Sequence, residues 1–254
     1  MNIRILGAHN RESQNTRLSS LVVDDVLALD AGGLTSGLSL AAQQKLKAFL
    51  LSHHHYDHIR DVPALAMNFY LAETNINIYS TVTVFDVLTN YLFDGKIYPN
   101  FLERPQGNPT IKFTVLETLK PEVIEGYSVL AVPVKHSVPS VGYQVSSPDG
   151  KVLFYAADTG PGLADCWRRV NPQLLIIEVT ASASYQDPVP GHLNPALLRQ
   201  ELVTFREMKG FLPVVITVHM DPEQETEIKA ELADVAEELN CQITPGYEGM
   251  LVSL

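Results

Sequence analysis

Leaving His54 aside, three imidazoles and one carboxylate fall within six residues in the run Ser52-His53-His54-His55-Tyr56-Asp57-His58, spaced as His53-x-His55-x-Asp57-His58. The run follows residues 45–51, whose apolar end predicts a buried strand. A turn leaving the carboxyl end of such a strand can aim His53 and His55 at one metal and Asp57 and His58 at a second. Imidazole and carboxylate suit Zn(II), Mn(II) or Fe(II), and a two-metal site suits hydrolysis. His54 points away from its neighbours if the segment is locally extended, and it is not expected as a ligand.

This spacing resembles the signature of the metallo-β-lactamase superfamily, and the resemblance runs along nearly the whole chain. It implies further ligands downstream, in order, each at the end of a strand. His136 follows the strand-like segment 127–134, Asp158 follows 151–157, and His219 follows 213–218. The family pattern carries His53, His55 and His136 to the first metal. It carries Asp57, His58 and His219 to the second, with Asp158 bridging. The implied cofactors are two divalent metal ions, Zn2+ ahead of Mn2+ or Fe2+. In the superfamily an Asp-Gly region supports the metal loop from behind. Asp30, in Leu29-Asp30-Ala31-Gly32-Gly33, is either that support or part of an ordinary turn.

Three features bear on the branch of the superfamily. Glu178, and then Gly191-His192-Leu193-Asn194, resemble the paired loops of ribonuclease Z and its phosphodiesterase relatives. Carried over, Glu178 orients His192, and His192 contacts a phosphoryl oxygen or assists the leaving group. Leu193-Asn194 departs from the Ser-Thr usual in the nuclease. Ribonuclease Z also carries a long basic arm between its third His and its bridging Asp. Here only residues 137–157 lie between His136 and Asp158, so no tRNA-binding arm is expected. Residues 88–101, including Phe93, Asp94, Ile97, Tyr98, Pro99 and Phe101, are similar to a segment of class II cyclic-nucleotide phosphodiesterases. Its aromatic rings could wall a base pocket by stacking or plug the edge of the core.

The implied activity is that of a metal-dependent hydrolase. Its expected substrate is a cyclic nucleotide or other small phosphodiester, attacked by hydroxide activated at a dinuclear metal site. Asp57 orients that nucleophile and takes its proton. The alternatives are a ribonuclease Z-like nuclease without the arm, a thioester or lactam hydrolase, and a non-catalytic metal-binding scaffold. Turnover of a lactam or thioester and of no phosphodiester would favour the hydrolase alternatives. Metal content near zero in protein supplied with metal would favour a scaffold.

The elements that must position these residues alternate along the chain. Strands are expected over 2–6, 19–23, 26–29, 48–51, 76–79, 111–116, 127–134, 141–145, 151–157, 174–179 and 214–218, with closing strands near 243 and 250–253. Helices are expected over 38–46, 62–71, 82–92, 195–208 and 223–239. The fourth has Asn194 as its cap and Pro195 at its first position. Strands cluster in two halves, each followed by helices, which fits the α/β class as a four-layer αββα sandwich. A chain of 254 residues suffices for one such domain over 1–254. The net charge of −11 disfavours broad nucleic-acid binding, which needs Lys and Arg. It is compatible with a small anionic substrate beside divalent metals. Cys166 and Cys241 lack metal-type spacing, and free thiols are expected. No signal-peptide core or membrane span is legible. A cytoplasmic protein is expected, with a homodimer open to it.

Overall fold

The computed structural model describes residues 1–185 and 190–254. The first half begins with the strands β1 (Asn2–Gly7), β2 (Ser20–Val23) and β3 (Leu27–Leu29). The short helices α1 (Leu34–Gly37) and α2 (Leu40–Gln43) lead to β4 (Ala48–Leu50). Then come α3 (Tyr56–Ile59), α4 (Val62–Leu71), β5 (Ile76–Ser80) and α5 (Val82–Val87). A π-helical turn at Leu88–Leu92 precedes β6 (Ile111–Val115). The second half runs through β7 (Pro121–Ile124), β8 (Tyr127–Pro133), β9 (Val141–Ser146) and β10 (Val152–Tyr155). It continues as α6 (Ala164–Arg169), β11 (Leu174–Glu178), α7 (Pro195–Lys209) and β12 (Val214–Val218). The last elements are α8 (Glu225–Leu239), β13 (Ile243–Pro245) and β14 (Leu251–Ser253).

Two seven-stranded sheets result, ordered β14-β1-β2-β3-β4-β5-β6 and β13-β12-β11-β10-β9-β8-β7. Each is antiparallel in one part and parallel in the other. The runs β3-β4-β5-β6 and β10-β11-β12-β13 are parallel. In a parallel run the carboxyl ends of the strands share one edge, so the loops after β3, β4, β10, β11 and β12 can meet there.

The sequence alternates with the pleat, and both faces of each sheet are apolar. On β4, Ala48 and Leu50 enter the core between the sheets, while Phe49 and Leu51 face the helices outside. On β11, Leu174 and Ile176 point inward and Leu175 and Ile177 outward. A central apolar layer and two outer ones hold the four-layer αββα sandwich together.

The structure departs from expectation at short elements. The helix expected over 38–46 is confined to Leu40–Gln43, where the Ser39 side chain accepts from Ala42 N. Strand β7 was not expected, because it begins at Pro121 and three of its four residues are exposed. Helix α6 spans only six residues, too few to display a helical period. Among the described residues, no helix is long and apolar enough to cross a membrane.

Candidate metal centre

Chain direction changes abruptly at three strand ends. Asp30, Ala157 and His219 have φ of 56°, 51° and 62°, a left-handed backbone that non-glycine residues adopt at a cost. They stand just after β3, β10 and β12. Gly32 lets a neighbouring loop approach, since a Cβ there would lie 2.1 Å from the Asp57 carbonyl oxygen.

Three clusters of ligand-type atoms form at this edge; one is Glu178, His192 and His219, and the other two share Asp158. His53, His55, His136 and Asp158 bring one atom each within 4.8 Å of one another, and so do Asp57, His58, Asp158 and His219. In the first, His136 Nε2 is 3.0 Å from His55 Nδ1, and Asp158 Oδ2 is 3.9 Å from His53 Nε2 and 4.0 Å from His136 Nε2. In the second, Asp158 Oδ1 is 3.1 Å from His58 Nε2, and Asp57 Oδ2 is 3.5 Å from His58 Nε2. His219 Nε2 lies 3.2 Å from Asp57 Oδ2 and 3.3 Å from Asp158 Oδ2. All seven residues singled out in the sequence thus converge, and Asp158 is common to both groups.

The donor set fits divalent metal. Ligand atoms about 2.0–2.2 Å from one tetrahedral ion stand roughly 3.3–3.5 Å apart, and the separations here, 3.0 to 4.0 Å, bracket that spacing. His53 Nε2 and His58 Nε2 are buried without a hydrogen-bond partner among the described residues. Orphaned polar atoms at full burial are costly, and an ion would satisfy both. Burial, then the nearby His58, pushes the His53 imidazole well below its ordinary pKa and keeps it neutral. Burial opposes ionisation of Asp158, but His219 and His58 outweigh it and hold the carboxyl well below the usual range.

The other ring nitrogens are tied down. His58 Nδ1 donates to Asp30 Oδ2 at 2.7 Å. His53 Nδ1 lies 2.9 Å from Ser52 Oγ, which donates to Asp30 Oδ2 at 2.7 Å. Tyr155 Oη and Ser52 N also donate to Asp30, both at 2.7 Å. Of the two roles open to Asp30, support of the metal loop is the one its contacts describe. His136 Nδ1 donates to the Gly191 carbonyl at 3.0 Å. His219 Nδ1 lies 2.9 Å from Thr180 Oγ1, which donates to Glu178 Oε2 at 2.6 Å. These contacts leave Nε2 of all four histidines available as ligand atoms.

Glu178 and His192 lie beside the clusters. Glu178 is fully buried and takes His192 Nδ1 at 2.7 Å, Thr159 N at 2.7 Å and Leu193 N at 3.2 Å. The His192 ring stacks parallel to His219, centroids 5.3 Å apart, and meets His136 edge-on at 4.9 Å. Burial opposes charging of His192, but its hydrogen bond to Glu178 and the negative charge there raise its pKa. Asn194 caps α7 through Leu197 N at 2.9 Å, which fixes the far end of the His192 turn.

Sequence reasoning assigned no role to Ser52, Tyr155, Thr180 or the Gly191 carbonyl. The only signal for Thr180 is its two-residue offset from Glu178, the period of a strand. Phe93 and Phe101 are buried in the outer layer on the first sheet, with centroids 6.3 Å apart. Of the two roles open to the aromatic segment, they fill the core one. Tyr143 is also internal, its hydroxyl donating to Leu51 O at 2.7 Å. Tyr185 is exposed, Asp221 pairs with Arg11, and Asp187 lies outside the described residues.

Residues 30–233 match the family model described as a beta-lactamase superfamily domain. The chain belongs to the metallo-β-lactamase superfamily, which is generally hydrolytic and whose fold implies divalent metal binding. It is 24% identical over 275 residues to a Yersinia pestis protein described as a probable 3′,5′-cyclic-nucleotide phosphodiesterase, covering 85% of this chain and 77% of that one. Unliganded yeast PDE1 shares its fold with a TM-score of 0.85 at 17% identity, covering 100% of this chain and 99% of that one. The short form of human tRNase Z does so with a TM-score of 0.70 at 18% identity, over 100% and 99% of the two chains.

Proposed function

We propose that residues 1–254 act as one metal-dependent phosphodiesterase domain, with a cyclic nucleotide or other small phosphodiester as substrate. The observation that carries this reading is the pair of clusters sharing Asp158 with the Glu178–His192 pair beside them. A lactam or thioester hydrolase has no evident use for that pair. The Yersinia pestis relative supports the choice of phosphodiester.

His53, His55 and His136 would hold one ion, Asp57, His58 and His219 the other, and Asp158 both. Bound divalent ions supply Lewis acidity toward a phosphoryl oxygen and lower the pKa of a water. Asp57 aligns the attacking water and accepts its proton. Its side chain keeps 29% of its exposure, against 3% for Asp158, so solvent and substrate reach it. His192 has Nδ1 committed to Glu178 and no hydrogen bond at Nε2 among the described residues. It donates a proton to the leaving oxygen through Nε2.

The test is hydrolysis of bis(p-nitrophenyl) phosphate by purified protein supplied with Zn(II) or Mn(II), with Asp158→Ala as control. The expected result is turnover that drops to background in the variant, followed by activity on cyclic AMP or another small phosphodiester. A folded, metal-loaded protein inactive on every phosphodiester, yet active on a thioester or lactam, would overturn the reading.

A further inference from the structure

The turn that carries His192 reaches the metal clusters by two routes that do not involve the His192 ring. The Gly191 carbonyl accepts from His136 Nδ1 at 3.0 Å, so one backbone oxygen of the turn sets the tautomer of a first-cluster residue. Leu193 O accepts from Thr180 N at 2.9 Å, and Leu193 N donates to Glu178 Oε2. Thr180 Oγ1 stands 2.9 Å from His219 Nδ1, and His219 belongs to the second cluster. The turn is also packed closely from below. A Cβ on Gly160, two residues after Asp158, would lie 3.2 Å from Gly191 Cα. Gly191 has φ of 82°, and a Cβ on it would lie 3.2 Å from Ser137 N and 3.4 Å from His136 Nδ1.

We propose that the Gly191–Leu193 turn is a positioning element that couples metal binding to the placement of His192, with the Gly191 carbonyl and the Thr180 hydroxyl as its two points of attachment. This rests on the reading above that His136 and His219 ligate metal. A metal at Nε2 withdraws electron density from the imidazole and makes Nδ1–H a stronger donor, so a bound ion tightens the hold of His136 on Gly191. By thermodynamic reciprocity, a turn held in place strengthens metal binding by the same factor. Loss of the oriented partner of a metal-bound histidine typically costs about 10–100-fold in metal affinity. The turn that presents His192 is therefore held more firmly when metal is bound, by the same factor by which it strengthens metal binding.

The coupling is tested by Co(II) titration, followed by absorbance and chelator competition, and by hydrogen exchange. Gly191→Ala is expected to weaken Co(II) binding about 10–100-fold. His192→Ala, which keeps the carbonyl, is expected to bind Co(II) like the native protein. In the native protein, Co(II) is expected to slow exchange of the Leu193 and Thr180 amides, a measurement that needs no variant to fold. Native Co(II) affinity in a folded Gly191→Ala, or exchange at Leu193 and Thr180 indifferent to bound Co(II), would overturn the coupling and leave the metal sites standing. Co(II) binding that survives His136→Ala and His219→Ala unchanged would overturn the ligand assignment, and the coupling with it.

Discussion

Two buried carboxylates hold opposite ends of one loop. Glu178 takes Thr159 N, next to Asp158, at 2.7 Å. Glu201 on α7 takes Gly162 N at 2.6 Å and Leu163 N at 3.2 Å, at the start of α6. Each also takes one ring N–H: His192 Nδ1 for Glu178, and Trp167 Nε1, at 2.9 Å, for Glu201. The difference lies in what the ring can still do. Indole has a single donor and no acceptor, and the Trp167 ring is otherwise packed edge-on against Phe154 and Phe205. Imidazole keeps a second nitrogen. Burial therefore does not separate a structural carboxylate from one proposed to serve catalysis, whereas the remaining capacity of its donor does.

Deleting the ring donor from Glu178 breaks the comparison most sharply. His192→Ala is expected to lower turnover of bis(p-nitrophenyl) phosphate by about 10²–10⁴-fold, with a stability loss in urea of about 1–3 kcal/mol from the stranded Glu178. Unchanged turnover with a large loss of stability would make Glu178 a second Glu201. Glu201→Ala strands two buried donors, Leu163 N and Trp167 Nε1, at about 1–3 kcal/mol each, and leaves the exposed Gly162 N to water. Its urea midpoint is expected to fall strongly while metal content per folded molecule stays native. Trp167→Phe removes the N–H and also opens a cavity at a fully buried ring, so the loss in urea unfolding is expected to exceed the about 1–3 kcal/mol of the stranded hydrogen bond alone, with kcat within about twofold of native, because Trp167 belongs to none of the ligand clusters.

The smallest effect concerns His9, a buried histidine with carboxylates near both ring nitrogens, Glu248 at 2.7 Å and Glu225 at 3.5 Å. Burial lowers its pKa, but Glu248 and then Glu225 outweigh that and leave it above the ordinary value. Glu248 is held below its own ordinary value, burial being outweighed by His9 and Arg17 N. The contribution of His9 is fully present below its ordinary pKa and is lost as pH rises through the raised one. That of Glu248 is present above its ordinary pKa and is lost as pH falls through the lowered one. The stability gap between native protein and His9→Gln is therefore expected to be widest near about pH 5–6 and to close toward pH 9, as read by urea unfolding across pH. A gap that grows with pH would contradict it.

The parts of the site legible in the sequence share a physical cause. Ligands at the ends of long apolar strands are announced by a change from apolar to His or Asp, and this exposes His53, His136, Asp158 and His219. The groups behind them carry no such mark. Ser52 and Thr180 are hydroxyls of ordinary kind, and the Gly191 contact is made by backbone. Glu201 sits in a helix whose sequence, Gln200-Glu201-Leu202, gives no sign that its carboxylate turns inward. The sheets were legible where apolar runs are continuous, as at β4 and β11. They were not at β7, an edge strand opened by Pro121, nor at Leu88–Leu92, where a helical apolar pattern continues but the backbone widens into a π turn.

Both clusters draw on both sheets, and this orders events in time. His55 precedes His136 by 81 residues, and Asp57 precedes His219 by 162. At a synthesis rate of about 5–20 residues per second, the His53–His58 segment waits roughly 8–30 seconds for its last partner to emerge. Until then it is an open chelating strip on a half-built molecule, and neither cage exists. The full donor set of either cluster is accordingly complete only late in synthesis. An ion held by either cluster would join one sheet to the other and, where it binds the folded form more tightly, would resist its opening by mass action.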